Sequence, residues 1–185
     1  MRRQYPEKKI EIWAEDEARL GLQPVIRRQW FKKASKPRSA SQTKYEWIYV
    51  YGFVEPATGK THWLLLPTVN LELMQIALDS FAKEYISSDT IVVLLWDQAG
   101  FHQVKKLRIP QGLEILPLPP YTPELQPAER LWPSLRESIA NRWISSLDQI
   151  EKLLCERIKQ LLNAPLMIQR LTGFQWILNA LNDTS

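Results

Sequence analysis

The sequence predicts an α/β fold: a mixed five-stranded sheet with helices on both faces. Three observations carry this. Ile91 to Trp96 is an uninterrupted apolar run, short enough for a strand and typical of one buried on both faces in mid-sheet. Tyr45 to Val54 and Thr61 to Leu66 are rich in aromatic and β-branched residues and are joined by EPATGK, which has turn chemistry, so they predict a hairpin. Leu71, Met74, Leu78, Phe81 and Tyr85 recur at helical spacing between the hairpin and the apolar run.

The elements follow in order. Residues 10–18 predict a first strand, in which Ile10, Ile12, Ala14 and Asp16 share one face because side chains alternate with a period of two. Pro24 and Pro37 mark irregular backbone after it. The hairpin comes next, and Asn70 caps a helix from Leu71 to about Tyr85. With the apolar run the order is β-β-β-α-β. A short helix or turn after Asp97 leads to a fifth strand, Leu113 to Leu118, ended by prolines. In LPPYTPELQPAERLW, Gln126 is placed to cap a helix and Pro127 to occupy its first position. Pro133 clashes with the carbonyl four residues earlier, that of Glu129, which predicts a local kink beside this acid. Ser146 and Gln149 fit a capping box, and Ile150, Leu153, Leu154, Ile158, Leu161 and Leu162 form the apolar stripe of the helix that follows. A last helix around Thr172 to Leu181 completes an α/β/α sandwich. No repeat or low-complexity linker interrupts the chain, and 185 residues with eight tryptophans suit one domain, 1–185, with a substantial core.

Composition narrows the chemistry. The Ile91 to Trp96 run falls far short of the roughly 18 residues of a membrane span, and MRRQYPEKK leads into no signal-peptide hydrophobic region. A soluble cytoplasmic protein without a membrane partner is expected. Cys155 is the only cysteine, and His62 and His102 are the only histidines. An intrachain disulfide, a cysteine-based zinc site and a histidine-rich metal centre are thereby disfavoured, which leaves oxygen ligands.

Three acids stand where such ligands are useful. Asp16 is the one of three neighbouring acids, Glu15-Asp16-Glu17, that points along the strand's apolar side. Asp97 ends the central strand, where open α/β sheets place their ligands. Glu129 opens the helix-like run. Taken singly, they also fit ordinary roles: an exposed strand end, a turn-former before Gly100, and a first-turn acid favoured by the helix dipole. Together they can share two Mg²⁺ ions, hard cations that take carboxylate oxygens and substrate phosphates. Two such ions promote in-line displacement at phosphorus, so phosphodiester cleavage or transfer is the expected chemistry.

The net charge of +4 is unevenly spread. No acid occurs between Glu17 and Glu46, whereas Arg19, Arg27, Arg28, Lys32, Lys33, Lys36, Arg38 and Lys44 do, interleaved with Trp30, Phe31 and Tyr45. This stretch, taken as a loop over 18–45, is a candidate DNA contact, because Lys and Arg neutralise phosphates independently of base sequence. A solvated basic loop is the plainer reading.

DEARLGL at 16–22, WDQAGFH at 96–102 and LPPYTPELQPAERLWPSLRE at 118–137 together resemble the catalytic domain of Asp-Asp-Glu (DDE) transposases of the mariner-like superfamily, most nearly the bacterial insertion sequence 630 family. The resemblance runs from about Glu11 to Trp143. It implies a ribonuclease-H-like fold and carries the family's metal ligands onto Asp16, Asp97 and Glu129. Two Mg²⁺, with Mn²⁺ able to substitute, would support DNA cleavage and strand transfer. The partners implied are transposon ends and target DNA, with a homodimer bringing two ends together near the nucleoid. By the same resemblance the stretch after the first acid reaches toward the partner subunit and DNA. Glu17 and His102 are candidates to support the ligands from behind, with an exposed acid and a histidine bonded at a helix start as the plainer readings; Arg130 and Arg136 either touch DNA or lie on a solvated helix face; Tyr121, Pro123 and Pro127 shape the turn that presents Glu129; His62 reads as structural. Family members carry helix-turn-helix modules ahead of this domain, whereas Met1 lies almost at the first strand, so an upstream frame or partner is expected to supply one. Two rival functions use part of the same features: a ribonuclease-H-like nuclease of other substrates, and a DNA-binding module without catalysis.

Overall fold

In the computed structural model the described residues are 5–28, 30–33, 44–97 and 106–182. Five strands form one sheet: β1 (Lys9–Gly21), β2 (Trp47–Glu55), β3 (Lys60–Leu66), β4 (Thr90–Trp96) and β5 (Leu113–Pro117). Their order is β3-β2-β1-β4-β5. The β3-β2-β1 half is antiparallel, whereas β1, β4 and β5 run parallel, so the sheet is mixed as expected. One helix between β3 and β4, α1 (Leu71–Tyr85), covers one face. Four helices, α2 (Trp132–Ile139), α3 (Leu147–Leu162), α4 (Pro165–Thr172) and α5 (Gln175–Asn182), pack on the other.

Strand phase explains the two cores. Trp13, Tyr51, Phe53, Val92, Leu94 and Trp96 meet Met74, Ala77, Leu78 and Phe81 of α1. Phe53 stacks on Phe81 at 4.6 Å and Trp13 meets it edge-on at 4.9 Å. Ala14, Ala18, Val50, Val54 and Leu95 point the opposite way, onto Leu131, Leu135, Ile150, Leu154 and Ile168. β1 is therefore buried on both faces. That is why Glu11 and Glu15 are buried, although alternation alone assigned them the polar side.

The structure corrects several boundaries. β1 runs to Gly21 rather than to residue 18, because Ala18, Leu20 and Leu22 prolong the apolar phase while β2 prolongs the ladder as far as the Gly21–Trp47 pair. Arg19 thus belongs to a strand, not to the expected 18–45 loop, and its guanidinium lies 4.2 Å from the Trp47 ring. β2 starts at Trp47 instead of Tyr45. The last helix expected over 172–181 is α5, which starts at Gln175; ahead of it, across Gly173 and Phe174, stands α4, which the sequence reading did not anticipate and whose start suits Pro165, a residue without an amide hydrogen. Gly59 has φ +76° and lies against the Pro165 carbonyl, where a Cβ would stand 1.9 Å away, so the hairpin turn docks α4 only with glycine there. The short helix or turn expected after Asp97 lies outside the described residues.

The caps follow the sequence closely. Asn70 Oδ1 accepts from the Leu73 amide at 2.8 Å. Ser146 Oγ accepts from the Gln149 amide at 3.3 Å, but Gln149 Oε1 accepts from the Ser145 amide at 3.1 Å. The box therefore closes one residue earlier than the usual reciprocal pair.

Candidate active site

The site lies where β4 ends, beside the middle of β1. These strands are parallel, and Glu15 is paired with Trp96, so Asp16 and Asp97 follow as next neighbours on adjacent strands, which run about 4.8 Å apart. Asp16 shares its face of β1 with Ala14 and Ala18, which pack on the α2–α5 side of the sheet. Glu129 comes from that side. It sits in a 3₁₀ turn (Pro127–Leu131) whose Ala128 and Leu131 are buried in the same core.

Proline builds that turn. Pro123 begins one 3₁₀ turn (Pro123–Leu125) and Pro127 the next, while Gln126 Oε1 accepts from the Ala128 amide at 3.4 Å. Pro133 has no amide hydrogen to give the Glu129 carbonyl, which is reached instead by the Trp132 amide in the tighter pattern. The predicted irregularity beside Glu129 is thus a change from 3₁₀ to α-helix at Trp132. Tyr121, ahead of it, adopts φ +61° and is 99 % exposed.

An open cleft of about 600 Å³ is lined by Asp16, Glu17, Glu124, Glu129, Arg130 and Arg136, together with Pro123, Trp132 and Pro133. Asp97 is not among the lining residues, but its charge acts on both Asp16 and Glu129. Burial pushes Asp16 up from 3.8 to about 7; the Trp132 indole and the Glu17 amide oppose this by hydrogen bonding, whereas the charges of Glu17 and Asp97 add to it. Burial also raises Glu129, with Asp97 adding and Arg130 and Arg136 opposing. Glu15, 1 % exposed on the α1 face, is raised well above the usual carboxylate range, first by burial and then by Glu17, Asp16 and Asp97. Among the described residues its carboxyl oxygens have no hydrogen-bond partner.

Carboxylates crowded together and disfavoured as anions by burial are a donor set that a divalent cation would relieve. The chemistry fits Mg²⁺ or Mn²⁺, which take oxygen ligands. Among the described residues, no three acid, histidine or cysteine side chains close into a ready-made cage. Mg²⁺ does not demand one, since it keeps several waters and uses one or two carboxylates.

Other sequence-predicted residues are dispersed. Arg27 is tied to the end of α2: its amide donates to Asn141 Oδ1 at 3.0 Å, its carbonyl accepts from Asn141 Nδ2 at 3.1 Å, and its guanidinium lies 3.4 Å from Glu137. Arg28, Lys32 and Lys33 are exposed, beside exposed Trp30 and Phe31. Lys36, Arg38 and His102 lie outside the described residues. His62 is half-buried on the α1 face, bonded to Glu84 and Ser80. Two residues that sequence reasoning left without a role at the site reach it directly. Trp132 Nε1 donates to Asp16 Oδ2 at 2.7 Å, and Gln126 Nε2 donates to the Glu15 carbonyl at 2.9 Å. The Gln126 cap was legible; the partners across the fold were not.

A family sequence profile described as DDE superfamily endonuclease matches residues 11–151. An uncharacterized protein of Sinorhizobium fredii, y4pE/y4sA, is 33% identical over 131 residues, which is 70% of this chain and 96% of that protein. Among solved structures, the Mos1 mariner paired-end complex with Mn aligns with a TM-score of 0.63 at 18% identity, over 92% of this chain and 56% of that one. The catalytic domain of Mos1 mariner transposase aligns with a TM-score of 0.54 at 16% identity, over 88% of this chain and 81% of that one. Identities this low speak for the fold, the α/β architecture that the resemblance anticipated, and the chain spans only about half the length of the transposase in the paired-end complex. Because the matched stretch contains all three acids and most of the sheet that positions them, the chain belongs to the DDE superfamily of endonucleases.

Proposed function

We propose that this chain is the catalytic unit of a DNA transposase, with Asp16, Asp97 and Glu129 as metal ligands at which one DNA strand is cut and then joined to a target. The observation that carries the reading is the arrangement of the acids: Asp16 on β1 and Glu129 on the turn above it line one cleft, and Asp97 follows the end of the adjacent parallel strand, near enough for its charge to act on both. When bound, a pair of divalent ions would activate the attacking oxygen and stabilise the leaving one. Asp16 and Asp97 supply oxygens from the sheet, and Glu129 supplies one from the opposite wall. Arg130 and Arg136, which line the cleft, offer guanidinium groups to the phosphates that flank the scissile bond. In the first step water displaces the 3′ oxygen at phosphorus and leaves a 3′-hydroxyl. In the second, that hydroxyl displaces an oxygen at a target phosphorus, so each step breaks one P–O bond and forms one. The exposed Arg28, Lys32 and Lys33, with Trp30, support contact with the DNA backbone. The Mos1 complexes, described as paired-end and strand transfer, support an assembly that holds two DNA ends through a dimer.

The test is Asp97→Asn. Mg²⁺- or Mn²⁺-dependent nicking of duplex DNA should fall below detection while circular dichroism and the melting profile keep the wild-type form. Nicking at the wild-type rate by this variant would end the proposal. Cleavage of RNA–DNA hybrid but not DNA by the wild-type chain would move the substrate elsewhere.

A further inference from the structure

Three like-charged carboxyls gathered at one end of a sheet repel each other, so something other than the ligands has to hold the third against the first. Two side chains are placed to do so. Gln126, three residues before Glu129 and 3 % exposed, spans from the Ala128 amide to the Glu15 carbonyl of β1. Trp132, three residues after Glu129 and 5 % exposed, gives its side chain's only polar hydrogen to Asp16 Oδ2. The turn that bears Glu129 is thus fastened to β1 on both sides, at two consecutive residues.

The indole is itself held. Its six-membered ring lies on the backbone of Gly52, the β2 residue paired with Asp16, where a Cβ would stand 2.7 Å from Cη2. Trp63, opposite Gly52 on β3, meets it edge-on at 6.1 Å and is anchored by its own Nε1 to Thr61 Oγ1 at 2.8 Å. An indole N–H donates only; it neither ligates a metal nor ionises, so it competes with no cation for the site.

We propose that Trp132 and Gln126 are positioning residues that set the placement of Asp16 relative to Glu129 before any ion arrives, and so determine how tightly a divalent cation is held. This rests on the reading of Asp16 and Glu129 as metal ligands. Partners that orient ligating groups typically change metal affinity by about 10- to 100-fold when they are removed.

The experiment is Mn²⁺ binding to the full chain, by calorimetry and by the loss of free-Mn²⁺ electron paramagnetic resonance signal. Four proteins are compared with wild type: Trp132→Phe; the chain with β-(3-benzothienyl)alanine at position 132, which keeps the ring shape but has no N–H; Gln126→Met; and Ile158→Val, a core change in α3 remote from the turn. The expected result is a weakening of about 10-fold or more in the first three at unchanged circular dichroism, and none in Ile158→Val. If Trp132→Phe fails to fold, the isosteric benzothienyl chain decides. Wild-type Mn²⁺ affinity in both the benzothienyl chain and Gln126→Met would overturn the inference and leave the ligand assignment intact. Absence of Mn²⁺ binding by the wild-type chain would overturn both.

Discussion

Replacing Asp16 by Asn should make the metal-free chain more stable at neutral pH, and the gain should grow with pH. The folded-state Asp16 carboxyl is raised by burial from 3.8 to about 7. A raised acid binds its proton more tightly in the folded chain than in the unfolded one, so stability is lost as pH climbs from the unfolded value through the folded one. The cost of ionising it works out to about 1 kcal/mol at pH 4.5 and about 4 kcal/mol at pH 8, where it levels off. Asn has no charge to bury, and its side-chain oxygen can still accept from the Trp132 indole. Urea denaturation with a chelator present, at pH 4.5, 6 and 8, is the assay. With a slope of about 2 kcal/mol/M, the midpoint of Asp16→Asn should exceed wild type by roughly 0.5 M at pH 4.5 and roughly 2 M at pH 8. Burial also raises Glu55, which is present in both proteins and has no contribution from Asp16, so it cancels in the difference. Glu15 is raised in part by the Asp16 charge, so Asp16→Asn relieves it as well and changes stability in the same direction. A midpoint difference that stays flat between pH 4.5 and 8 would refute the claim that folding buries this carboxyl against its charge.

Three further outcomes follow from named contacts. Gly52→Ala places a methyl 2.7 Å from Trp132 Cη2 and should destabilise the chain by about 1–3 kcal/mol in the same denaturation assay, because the ring has Trp63 beyond it. Asn70→Ala removes the bond to the Leu73 amide and should lower stability by about 1 kcal/mol, with DNA nicking unchanged. Lys32→Ala with Lys33→Ala should weaken DNA binding on all sequences alike and reduce the slope of log affinity against log salt by about 1–2, measured by fluorescence anisotropy from low to moderate salt.

In the proposed site, the burial that makes this acid cost stability is also what suits it to hold a cation. The burial that raises Asp16 also lowers the local dielectric, so a divalent cation beside it gains more than it would at an exposed carboxylate. Sites that carry chemistry often oppose folding in this way, and the rest of the chain offsets them: two apolar cores on either side of β1 here.

What the sequence determined by itself was local or periodic. The apolar run at Ile91–Trp96, the hairpin around EPATGK, the Asn70 cap and the spacing of α1 each depend on residues a few positions apart, and each stands in the fold where it was read. The motifs that single out Asp16, Asp97 and Glu129 as candidates are short as well, on a strand, just past a strand end and in a proline-built turn. Tertiary structure alone decided the rest, because it depends on which strands become neighbours and on what covers them. Alternation assigned Glu15 to the polar side, but a sheet covered on both faces has no polar side, and Glu15 is buried under α1. Likewise no spacing rule joins Trp132 to Asp16 or Gln126 to Glu15, separated by 116 and 111 positions. Those contacts exist because a turn fixed by prolines lies across the middle of β1, and because Gly52 leaves the indole room to rest against the sheet.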